Sequence, residues 1–228
     1  MVQHNPWVTE VPAPPAPPTS PAARVARVVR PGERDSDTGE LQTEEEVEPV
    51  PVTGPTRPQV GVPAPENGLP VRAHAGSASL FIVGAHGGAG ESMVAALDPR
   101  WCATDHSWPE LPAAEPAQCV LVARTHAAGL MAAQRALTQW AASASGASAQ
   151  CVGLVLIADA PGKLPAPILD LIKVVSGGAP RVWRLGWIEE WRLGDLDSPP
   201  PKPARRLLRQ LHKLPSAPAG RNNPIEGE

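Results

Sequence analysis

Four apolar runs constrain this chain more than anything else in it: "SLFIV" at 79–83, "CVLVA" at 119–123, "VGLVLIA" at 152–158 and "RVWRLGW" at 181–187. They read as continuous apolar strands, which predicts a sheet covered on both faces. The intervening segments have a different period. In "RTHAAGLMAAQRALTQWAAS", Leu130, Ala133, Leu137 and Trp140 recur at helical spacing. "DAPGKLPAPILDLIKVVSGG" carries Leu169, Ile172 and Val175 in a helix predicted to begin near Pro167 and to stop at Gly177 and Gly178. "WCATD" at 101–105 reads as a fifth, weaker strand. Strands alternating with helices predict an α/β fold, a three-layer sandwich around a mainly parallel sheet.

Composition sets the limits of that fold. Of 30 prolines in 228 residues, fifteen fall in residues 1–75, a stretch with one aromatic residue, Trp7. Its run "GELQTEEEVEPVPVTGP" has no usable period, and such a segment buries too little apolar surface to offset its ordering entropy. Residues 1–75 are therefore expected to be a disordered Pro/Glu-rich arm. Residues 76–197 hold six of the seven tryptophans and all three cysteines and are expected to form the compact domain. Residues 198–228 read as a Pro-rich linker and basic tail.

Charge is uneven along the chain. The arm carries 6 basic and 10 acidic residues, the core 8 and 11, and the tail 6 and 2. A core of net −3 predicts no nucleic-acid surface there. Cys102, Cys119 and Cys151 form no CxxC pair, which predicts a reduced, cytoplasmic protein. The start "MVQHNPWVTEVPAPPAP" lacks the basic flank and apolar core of a signal peptide, and no apolar run approaches the ~18 residues of a membrane span.

The chemistry-bearing stretch is "FIVGAHGGAGES", residues 81–92, where an apolar strand opens through glycines into a helical segment. That layout offers backbone amides to an anion. Against the phosphate-loop pattern G-x-x-x-x-G-K-[ST], the chain reads Ala85, His86, Gly87, Gly88, Ala89, Gly90, Glu91, Ser92. The first glycine is alanine, with Gly84 just before it; the lysine position is Glu91; the hydroxyl position survives as Ser92.

"HGGAGES" resembles the deviant phosphate loop K-G-G-x-G-K-[ST] of the ParA/MinD class of P-loop ATPases, with His86 and Glu91 at the two lysine positions. "VGAHGGAG", "LVARTHAAGL", "IADAPGKLP" and "VWRLGWIEEWR" also resemble an uncharacterised group of bacterial proteins associated with mobile or conjugative elements. The resemblance implies a P-loop NTPase-like fold, ATP and Mg as cofactors, Ser92 as a metal ligand and Asp159, after "LVLIA", as a Walker B aspartate. Asp159 equally suits the strand that frames the base, or a cap on the "APGKLP" turn.

The departures predict a degenerate loop. A carboxylate beside polyphosphate exchanges attraction for repulsion, about 1 to 4 kcal/mol per charge pair at ~4 Å. Loss of both lysines removes the cations that phosphoryl transfer needs. The expectation is a non-hydrolysing scaffold or regulator in a bacterial conjugation, partition or other mobile-element assembly, working with a protein partner. A loop kept only for its tight turn and an ATP-binding protein with a borrowed cation are the competing readings. Arg124 and Lys163 are the candidate donors, and with Thr125, His126 and Asp159 they would line a crevice at the strand ends. A Glu91→Lys change would raise affinity for polyphosphate if the loop kept its shape. No catalytic residue is read from the sequence, and the scattered His86, His106 and His126 give no metal spacing.

Two further features invite partners. Trp183, Trp187 and Trp191 lie on a strand that turns into a short helix, either as core or as a surface with Arg184 and Arg192 stacked on tryptophan. "PARRLLRQLHKL", 203–214, is basic and amphipathic, and resembles the membrane-targeting tail of MinD-like proteins. It would either pack on its own domain or dock on a membrane surface, nucleic acid or partner.

Overall fold

The computed structural model describes residues 51–75, 78–112, 116–194 and 198–214. The chain divides into two units, Met1–Glu44 and Glu45–Glu228, and every described residue belongs to the second. The expected arm over residues 1–50 and the end of the tail, 215–228, lie outside the described residues.

The five expected strands form one parallel sheet. They are β2 (Leu80–Gly84), β3 (Trp101–Ala103), β5 (Ala117–Arg124), β6 (Ala149–Ile157) and β7 (Val182–Leu185), in the order β3-β2-β5-β6-β7. All five residues of β2 are buried, as an apolar run covered on both faces requires. On one face lie α2 (Ala127–Ala141) and α3 (Ala166–Ser176), packed with Phe81, Leu121, Leu154, Trp108 and Trp140. On the other lie α1 (Glu91–Ala95), α4 (Glu189–Arg192) and α5 (Lys202–His212), packed with Ile82, Val120, Val155, Trp183 and Trp191. Counted along this sheet the strand order is 2-1-3-4-5, a doubly wound arrangement whose switch point lies between β2 and β5.

Residues 51–75 correct the expected arm. They run along the α2/α3 face and are held there mainly by main-chain groups. Thr53 N donates to Pro180 O (2.9 Å), Gln59 N to Ala141 O (2.8 Å) and His74 N to Glu110 O (2.9 Å). Val62 and Leu69 pack on the core. The segment ends in β1 (Val71–Ala73), which pairs in parallel with β4 (Trp108–Glu110) as a separate two-stranded sheet. Gln139 clamps it: the side-chain oxygen accepts from Leu69 N (2.7 Å) and Trp108 Nε1 (3.0 Å), and the amide nitrogen donates to Leu69 O (2.8 Å) and Ala144 O (3.0 Å). Proline-rich composition misleads here because the anchors are backbone groups, which carry no apolar period.

The basic tail turns its leucines inward. Ala204, Leu207 and Leu211 of α5 are buried, while Lys202, Arg205, Arg206 and Arg209 face outward. Trp183 and Trp191 are core residues, and Arg192 stacks over the half-buried Trp187 at 5.9 Å. Among the described residues no helix is long and apolar enough to cross a membrane.

Asp98 fastens the end of α5. Its Oδ1 accepts from Arg100 N (2.8 Å) and Arg100 Nε (3.0 Å), its Oδ2 accepts from Arg100 Nη2 (2.7 Å), and His212 Nε2 lies 2.7 Å from Oδ2. The hydrogen bonds from Arg100 hold the Asp98 carboxyl well below the usual carboxylate range, although burial pushes the other way. A depressed carboxylate pKa gives stability that is present above the unfolded-state value and is lost as pH falls towards the folded one. Urea unfolding followed from about pH 7 to 2 is therefore expected to show stability falling below about pH 4. Asp98→Asn should lower stability at neutral pH and flatten that acid limb; an unchanged limb would exclude Asp98 as its source.

Candidate functional site

Gly84 ends β2, and residues 85–90 carry the chain to α1, so the glycines do bridge strand to helix. The bridge is a tight turn, with Ala89 N donating to His86 O (3.1 Å). Gly90 caps the five-residue α1 from the left-handed region, φ 97°, which favours glycine. His86, at the first lysine position, is no cation: burial lowers its pKa, Nδ1 donates to Gly87 O (2.8 Å), and Nε2 accepts from Arg124 N (3.2 Å).

Glu91 departs most from expectation. Its carboxylate is buried on main-chain amides instead of standing exposed beside the glycines. Oε2 accepts from Gly84 N (2.5 Å) and His106 N (3.3 Å), and lies 3.3 Å from His106 Nδ1. A Cβ at Gly84 would overlap both the Glu91 carboxylate and the His106 ring, so the glycine is there for close approach. Acid, glycine and loop form one unit.

Of the expected cation donors, Arg124 reaches the loop and Lys163 does not. Arg124 Nε donates to Gly88 O (3.3 Å) and Nη1 to Ala158 O (2.9 Å), which ties the loop across β5 to the end of β6. Burial lowers the Arg124 pKa and Asp159 acts against that. Lys163 stands exposed between β6 and α3, and no hydrogen bond or ion pair joins it to the loop. Thr125 Oγ1 donates to Asp159 Oδ1 (2.9 Å), closing the β5 and β6 ends over each other. His126 caps α2 by accepting from Gly129 N at Nδ1 (3.0 Å), a role its sequence position beside "AAGL" could have suggested. Ser92 is exposed on the first turn of α1. β5 lies between the loop's strand β2 and β6, which carries Asp159 at its end.

The three thiols are free, and Cys119 and Cys151 are buried. Burial drives both thiol pKa values up, Cys151 to about 12, so neither serves as a nucleophile at neutral pH. Away from the loop, a groove of about 490 Å³ runs between β7 and α5, where Arg184, Lys202, Arg206 and Arg209 line it beside Leu185 and Leu207.

One family model, described as a family of unknown function (DUF6668), matches residues 78–209, more than half of the chain. The chain belongs to that family. No curated protein and no solved structure matches it. The match spans β2 through most of α5, so in the DUF6668 unit the helix that buries Leu207 belongs with the sheet. Residues 51–75 lie outside the match, although Gln139, their clamp, lies within it.

Sequence reasoning missed one grouping. Glu91, Asp105 and His106 offer ligand atoms that all lie within 4.8 Å of one another. They sit fourteen residues apart across β3, a separation no short motif encodes.

Proposed function

We propose that this DUF6668 protein is a non-hydrolysing scaffold or regulator built on a degenerate phosphate loop, acting in a bacterial conjugation, partition or other mobile-element assembly. The observation that carries this reading is the buried Glu91 carboxylate on the amides of Gly84 and His106. The lysine position of an active loop is given over to fastening the loop, and the other lysine position is a neutral, hydrogen-bonded His86. Neither group neutralises a polyphosphate, so the electrostatic stabilisation of phosphoryl transfer is absent from both. Of the Mg ligands that the resemblance implies, Ser92 is exposed on α1 and Asp159 Oδ1 accepts from Thr125 beyond the end of β6.

Calorimetric titration of the full chain with ATP and Mg is expected to show no binding at millimolar nucleotide and no phosphate release. Steady turnover that disappears in a Ser92→Ala protein would overturn the proposal.

A second reading, an ATP-binding protein of the ParA/MinD type, draws support from Arg124, whose guanidinium lies against Gly88 and Gly90. It requires millimolar ATP to raise the melting temperature and Arg124→Ala to cancel the rise. A third, an adaptor acting through the tail, is supported by the cation-lined groove at α5 and suits an acidic protein surface. The buried leucines count against insertion into a membrane.

A further inference from the structure

We propose that Glu91, Asp105 and His106 form a site for one divalent cation of the zinc class, independent of any nucleotide. The first argument is chemical. A buried carboxylate is stable when a cation is paired with it. Glu91 is 6% exposed, and the His106 imidazole lies beside its carboxylate. Yet His106 Nδ1 is buried and makes no hydrogen bond among the described residues, although it lies 3.3 Å from Glu91 Oε2. The contact brings two ligand atoms together without joining them.

The second argument is geometric. Zinc takes imidazole nitrogen and carboxylate oxygen at about 2.0–2.2 Å, so two ligands on one tetrahedral ion stand about 3.3–3.5 Å apart. The Glu91–His106 separation matches that edge. The third ligand, Asp105, precedes His106 in the chain, and both lie in the left-handed region, φ 52° and 54°. Arg72 Nη1 donates to Asp105 Oδ2 (3.1 Å), and among the described residues no hydrogen bond is made to Oδ1. Gly84 N orients the Glu91 carboxylate in the same way that outer hydrogen bonds orient metal ligands. Asp105 is exposed and gives the ion a path in from solvent, and three protein ligands leave a fourth position for water.

The test is calorimetric titration of the full, untagged chain with ZnCl2 at neutral pH, with Co2+ as a visible-absorption probe of tetrahedral coordination. One equivalent of Zn2+ is expected to bind with a Kd on the order of 1 µM or lower. Asp105→Asn exchanges an exposed carboxylate for a neutral amide and leaves the buried pair in place; it should weaken binding at least about tenfold. His106→Ala should do the same, and Cys102→Ser should leave binding unchanged, which separates this site from a thiol. Absence of stoichiometric binding, or binding that survives Asp105→Asn or His106→Ala at full strength, overturns the proposal.

Discussion

Glu91→Lys is expected to unfasten the glycine loop and not to restore a phosphate site. Lysine cannot accept from Gly84 N or His106 N, so it strands two amides and places an ammonium group in a space the protein keeps 94% hidden from solvent. A buried charge left without a partner costs about 3–5 kcal/mol. For a domain of this size that lowers Tm by roughly 10 °C. Glu91→Gln keeps one carbonyl oxygen for Gly84 N and should cost about 1–2 kcal/mol. The two variants therefore rank in a fixed order, and thermal unfolding reads it directly. A Glu91→Lys protein as stable as the parent, with newly gained ATP affinity, would mean that the acid is a simple lysine replacement.

The second large effect is expected at Gln139. Gln139→Leu keeps the approximate volume and deletes both halves of the amide, leaving Leu69 N, Leu69 O, Trp108 Nε1 and Ala144 O without their partner. Buried polar groups left alone cost about 1–3 kcal/mol each, and water can relieve those nearest the surface, so the expected loss is about 3–4 kcal/mol. Gln139→Glu retains the two accepted bonds, loses the two donated ones and should fall between. Hydrogen exchange gives the local readout: the amides of Thr53, Gln59 and Leu69 should lose protection in Gln139→Leu before the sheet does. Unaltered protection there would show that residues 51–75 are held by something other than this clamp.

These two residues also mark where sequence reading succeeds and fails. The strands β2, β5, β6 and β7, the weak β3, and helices α2 and α3 were legible because a doubly covered sheet writes continuous apolar runs and an amphipathic helix writes a 3.6-residue period. The bridge from strand to helix through Gly87, Gly88 and Gly90 was legible for the same reason: glycine reports a backbone need. The direction of a side chain leaves no such trace. Glu91 reads as a charge facing a ligand, and only the fold reveals that its carboxylate serves Gly84 and His106. Residues 51–75 defeated composition because main-chain hydrogen bonds and one distant glutamine hold them. The meeting of Glu91 with Asp105 and His106 depends on β3 lying alongside β2, which is a fact of topology.

Every pairing in both sheets is parallel. No neighbouring strands can zip together from a short turn; each must wait for a crossover to bring its partner round. The segment at 51–75 feels this most, because its anchors at Gln139 and Ala179 are separated from it by 70 and 126 residues. During synthesis it leaves the ribosome ahead of the sheet and finds its berth only after α2 and α3 have been made, so the first described stretch to be translated is among the last to settle.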